Sequence, residues 1–145
     1  MIVDNFLRVS TAQAVTTTAV STDKIDLLQA REIGEGADLF FVFTVGTAFA
    51  GGTSITFQVV TDDNASLSSP TVIAATAAIV TASLTAGAQF IVAIPPQIAS
   101  LGERYLGAQY TVSGTYSAGT VTADVAHNIQ DGRKFYASGF TIPST

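Results

Sequence analysis

The sequence predicts an all-β chain: an antiparallel β-sandwich or jelly roll with extended N- and C-terminal arms. Three observations predict it. Apolar and polar residues alternate with a period of two, as in Ile55, Phe57 and Val59 against Ser54, Thr56 and Gln58. Stretches of this kind recur roughly every ten residues with turn signals between them, the spacing of sandwiches and barrels. No segment has convincing helical periodicity. We divide the 145 residues into an N-terminal arm at 1–20, a β-sandwich domain at 21–130 and a C-terminal arm at 131–145.

Taken in order, residues 1–20 open with Phe6, Leu7 and Val9, which fit a short strand. Residues 11–20 are mostly Thr, Ala and Val without a charge. β-branched residues disfavour helix and suit an extended edge segment. This segment reads either as a frayed terminus or as an arm lying on another subunit. Residues 34–38 carry two glycines and form a loop. Residues 39–45, Leu-Phe-Phe-Val-Phe-Thr-Val, make the most hydrophobic strand, with apolar residues on both faces. A half-solvated strand alternates, so something covers the second face: a neighbouring subunit, an arm, or a loop of the same chain.

The strand at 54–61 leads into a polar corner. Asp62, Asp63 and Asn64 can bond their own backbone, and Ser68-Ser69-Pro70 ends any ladder. Residues 71–84 read as strand, loop and strand, because Thr and Val lower the helix propensity that Ala supplies. A strand at 89–94 stops at Pro95-Pro96. Residues 104–113 put Leu106, Ala108, Tyr110 and Val112 on one face. Residues 120–127 return with Val121, Ala123 and Val125 inward. The tail carries Phe135, Tyr136, Phe140 and Ile142, and a segment that apolar is expected to dock on something.

Composition narrows the function classes. Charged residues are only 12% of the chain, about half the usual share, while 48% are hydrophobic. Either the core is large for the length or a partner covers part of the surface. The net charge of −5, with six Lys and Arg in all, argues against nucleic acid, whose phosphates need clustered cations. No cysteine is present, which excludes disulfides and thiolate metal sites. Residues 1–7 hold Asp4 and no apolar core, so no signal peptide is expected, and the longest purely apolar run, 39–43, is too short for a membrane helix.

No catalytic motif is visible. His127 is the only histidine and has no second imidazole beside it in sequence. Asp62, Asp63 and Asn64 lack the spacing of a calcium loop and suit a turn better. Glu32 and Glu35 flank glycines and fit a solvated face. Arg104-Tyr105 fits a partner contact or packing at a sheet edge. No cofactor or metal is expected.

Several blocks together carry a resemblance. They are Asp26-Leu27 with Arg31-Glu32-Ile33-Gly34, Thr61-Asp62-Asp63-Asn64, Leu67-Ser68-Ser69-Pro70-Thr71, Leu84-Thr85-Ala86-Gly87, Ile94-Pro95-Pro96, Arg104-Tyr105-Leu106 and Tyr110-Thr111-Val112. In this order and spacing, over about residues 25–125, they resemble the capsid cement (decoration) proteins of tailed bacteriophages. The resemblance implies a non-enzymatic jelly roll on the outer surface of the virion head. It implies binding over the major capsid protein as a homo-oligomer, dimer or trimer, with neither nucleic acid nor membrane as partner. The tail after His127 is longer than this family's pattern. On this reading Phe6, Arg8, Arg133, Phe135 and Tyr136 are expected at capsid contacts, and Phe40 and Val42 at self-association. The alternative is a carbohydrate- or receptor-binding sandwich of a virion, using Tyr105, Tyr110 and Tyr116 as a sugar platform.

Overall fold

Strand-forming stretches with turn residues between them fold here into two packed sheets. The computed structural model describes residues 2–33, 36–95, 101–127 and 129. Its strands are β1 (Ile2–Ala14), β2 (Ala19–Val20), β3 (Ile25–Asp26), β4 (Leu39–Val45), β5 (Ser54–Asp62), β6 (Thr71–Ala75), β7 (Ile79–Val80), β8 (Gln89–Ala93), β9 (Tyr105–Ser113) and β10 (Thr120–His127). A 3₁₀ turn, Thr81–Ser83, follows β7.

One sheet has the order β1-β10-β4-β8 and the other β2-β9-β5-β6, with β3 added to β9 and β7 to β5. The described pairings are antiparallel. Leaving aside the short β3 and β7, the first strand pairs with the last, the second with the next to last, and so inward to β5 with β6. That is the order of a long hairpin rolled over on itself, the jelly roll.

The core lies between the sheets and follows the alternation of the sequence. Phe41, Phe43 and Val45 enter from β4, Ile55, Phe57 and Val59 from β5, and Leu106, Ala108 and Tyr110 from β9. Val121, Ala123 and Val125 enter from β10. The rings form a stack. Phe43 and Phe57 lie 4.9 Å apart, Phe57 and Phe90 5.3 Å, and Tyr110 meets Phe43 and Phe57 edge-on. Such pairs add about 0.5–1.5 kcal/mol each beyond the area they bury.

The polar corner after β5 is built by Asp62. Its carboxylate accepts the N–H of Asn64 at 3.0 Å and of Ser69 at 2.9 Å. The closed corner folds Leu67 back over the outer face of its sheet, against Gly107. A Cβ at Gly107 would collide with the end of the Leu67 side chain, so a larger residue there would push Leu67 out of its place.

The N-terminal arm expected at 1–20 takes a definite place among the described residues. Residues 2–14 are β1, paired to β10 along one edge of the four-stranded sheet. The expected C-terminal arm, 131–145, lies outside the described residues.

Candidate interaction surface

The surface of interest is the outer face of the four-stranded sheet together with its β1 edge. Two transverse rows cross this face. Ladder partners place Arg8, Asp124, Val42 and Ile91 in one row and Val3, Ala126, Phe40 and Ala93 in the next. The second row is apolar throughout.

Between the two rows β1 carries more residues than β10. It advances from Val3 to Arg8 while β10 advances only from Ala126 to Asp124. The excess is a bulge that lifts Asp4–Leu7 out of the ladder. Within it the Phe6 N–H donates to the Asp4 carboxylate at 3.0 Å, closing a small turn. Phe6 ends 90% exposed at the tip. A phenyl ring so free of its own chain is unusual, because aromatic rings carry the largest apolar area to hide.

Arg8 has a different role. Its Nε donates to Asp124 Oδ1 at 2.6 Å, and the carboxylate is nearly buried. The charge is therefore engaged across β1 and β10. Val42, expected at self-association, is 1% exposed and buried within the chain. Its neighbour along β4, Phe40, in the apolar row, is half-buried. Arg133, Phe135 and Tyr136 lie outside the described residues.

The other candidates lie elsewhere on the fold. Arg104 holds Asp26 through two bonds of 2.6 Å, tying β3 to β9, and its guanidinium lies 5.2 Å over the Tyr105 ring. The bond from Arg104 holds the Asp26 carboxyl at about 2, below the usual range. Asp62 spends its carboxylate on backbone N–H groups. His127 is exposed at the end of β10. Glu32 is exposed, and Glu35 lies outside the described residues. Among the described residues no three His, Cys, Asp or Glu gather where they could hold a metal ion.

The expected sugar platform is corrected by the packing. Tyr110 and Tyr116 are buried in the core, the first between the sheets and the second edge-on to Phe49. Tyr105 alone of the three keeps partial exposure. Alternation set Tyr110 on one face of its strand with Leu106, Ala108 and Val112, and that face is the one turned to the core. Tyr116 sits in a turn, where no period exists to read.

Sequence reasoning missed the buried link Tyr110–Ser10–Gln13. Tyr110 donates to Ser10 Oγ at 2.6 Å and Ser10 donates to Gln13 Oε1 at 2.7 Å. Gln13 then donates to the Val20 carbonyl at 2.8 Å. Three ordinary polar residues joined across the fold leave no local signal.

None of the curated proteins compared with the chain matches it. The Bbp16 family model matches residues 9–125, from the middle of β1 through most of β10. Phe40 and Val42 fall inside this span, while Phe6, Arg8 and the tail fall outside it. With most of its length matched, the chain belongs to the Bbp16 family.

Proposed function

We propose that this chain is a decoration protein of a tailed-bacteriophage head. It binds the outer surface over the major capsid protein and stabilises the shell as a homo-oligomer. The observation that carries the reading is Phe6, held out on a turn of its own at the edge of a sheet whose outer face bears an apolar row. A buried aromatic anchor surrounded by weaker contacts is the usual core of an interface. The resemblance in the ordered blocks from Asp26 to Val112 supplies the partner. The low charge fits a surface that is covered in use, and many copies on one shell add modest contacts into firm attachment.

The test is co-sedimentation of the purified chain with heads lacking it. Saturable binding that weakens in Phe6→Ala supports the reading. Absence of binding to such heads overturns it.

A further inference from the structure

Three described residues other than glycine hold a positive φ: Ala12 at +44°, Leu28 at +68° and Leu67 at +51°. A left-handed backbone strains any residue that carries a Cβ. For two of them the fold gains something in exchange. Leu67 is 3% exposed and packs against Gly107. Ala12 lies in the register shift between Ser10 and Gln13, where its N–H donates to Thr122 Oγ1 at 3.1 Å. Leu28 is 70% exposed, so its strain brings no burial.

The conformation of Leu28 is nonetheless braced. Its N–H donates to Asp26 Oδ1 at 2.7 Å, and the same carboxylate takes two bonds of 2.6 Å from Arg104. One residue earlier, buried Leu27 donates its N–H to the Arg104 carbonyl at 3.0 Å. Phe6 is held in the same manner, by the Asp4 carboxylate two residues before it. These are the two most exposed large apolar residues among those described. Strain maintained by its surroundings at an exposed apolar tip is the signature of a position kept for binding.

Phe6 and Leu28 also share one corner of the sandwich. The β1 edge of one sheet and the β2–β3 edge of the other lie on the same open side, where the Asp23 N–H donates to the Val9 carbonyl at 2.8 Å. β9 and β10 are joined by the loop at 114–119, so β9 begins at the end where β10 finishes. β1 begins there against His127, and β3 finishes there against Tyr105. The two tips belong to different sheets, which pack about 10 Å apart. Asp23, Lys24, Arg31 and Glu32 are exposed in the segment that carries Leu28, a polar rim to an apolar centre.

We infer that Leu28 is a second apolar anchor, and that it and Phe6 together grip one folded protein surface offering two apolar sockets. This rests on the decoration reading and adds to it the corner by which the chain meets the shell. Two apolar tips could equally enter a bilayer, but charge favours protein. The chain carries −5, and each tip stands on a carboxylate that would face the anionic headgroups of a membrane.

The experiment uses Leu28→Asn. Asparagine takes the left-handed conformation more readily than leucine, so the variant should melt no lower than wild type. In co-sedimentation with heads lacking the protein, its apparent affinity should fall about tenfold or more. Leu28→Asn combined with Phe6→Ala should bind more weakly than either alone. In flotation with vesicles of phosphatidylcholine and phosphatidylserine, the wild-type chain should stay behind. A wild type that binds heads while Leu28→Asn binds them as tightly overturns this inference and leaves the decoration reading standing. A wild type that ignores heads overturns that reading and the anchor with it. Vesicle binding lost in Leu28→Asn would make the corner a membrane contact and overturn the choice of a protein partner. A variant that melts well below wild type would assign Leu28 to the fold, against the inference.

Discussion

Tyr110 in β9 donates its phenolic hydrogen to Ser10 in β1 at 2.6 Å, across the gap between the two sheets. Both residues are fully buried. The bond ties the N-terminal strand to the opposite sheet, and through Gln13 it reaches the turn before β3. Ser10→Ala should cost about 1–3 kcal/mol, since it strands a buried hydroxyl. Tyr110→Phe removes one bond while Ser10 keeps Gln13, and should cost about 1 kcal/mol. The double variant should cost less than the sum of the two. Urea denaturation of the four proteins measures this coupling.

The same phenol has an alkaline signature. Burial chiefly pushes the Tyr110 hydroxyl above its ordinary value of 10.0, Ser10 opposes the shift, and the charge of Asp124 adds to it. A group whose folded-state pKa is raised stabilises the fold fully below its unfolded value. That contribution is lost as pH rises through the folded value. Stability should therefore fall above pH 10, and Tyr110→Phe should remove part of the slope. Denaturation midpoints from pH 9 upward check it.

Asp62 governs the corner that covers Gly107. Burial raises its pKa, but the N–H donors of Asn64 and Ser69 lower it further, and the balance falls below the usual 3.8. A depressed carboxyl stabilises the fold above its unfolded value and loses that contribution as pH falls through the folded one. Asp62→Ala should cost about 3 kcal/mol, the strength of two bonds to a charged acceptor less the relief of desolvation. The wild-type advantage over Asp62→Ala should shrink below pH 3.8 in urea titrations.

These residues also mark how much was legible in sequence. The inward faces of β5, β9 and β10 were readable, because the alternation in Ile55–Val59, Leu106–Val112 and Val121–Val125 states which side is greasy. The Asp62 corner was readable because Asx bonding is local. The doubly apolar β4 announced that both faces are covered, yet the burial of Val42 could not be read, because it depends on strands far away in sequence. The partners of Ser10, Arg8 and Arg104 were hidden for the same reason. Each is a pairing between distant strands, and one-residue spacing says nothing about it. The bulge that frees Phe6 depends on register between β1 and β10, which neither strand encodes alone.

Gly119 is a packing constraint that a simple substitution exposes. Its φ is +141°, and a Cβ there would drive into the buried Phe49 ring. Gly119→Ala should destabilise by more than about 3 kcal/mol, joining backbone strain to overpacking. Gly87 has φ +84° but nothing near its missing Cβ. Gly87→Ala should cost only about 1 kcal/mol, the backbone part alone. Thermal melts of the two variants separate sterics from conformational strain.

Phe6 and Arg8 stand two residues apart on β1 and should fail in opposite ways. Phe6 touches little of its own chain, so Phe6→Ala should change the melting midpoint negligibly. Its effect should appear on heads, as at least a tenfold weaker apparent affinity, about 1.4 kcal/mol per bound copy. Arg8 neutralises the nearly buried Asp124, and its own side chain is about a third exposed. Arg8→Met keeps the aliphatic stem but leaves the carboxylate alone. After allowance for solvent screening it should cost about 1–2 kcal/mol of stability. Asp124→Asn combined with Arg8→Met should recover part of that loss. If Phe6→Ala unfolded the protein instead, the ring would belong to the fold, and its place at the tip of the bulge would have no bearing on a partner.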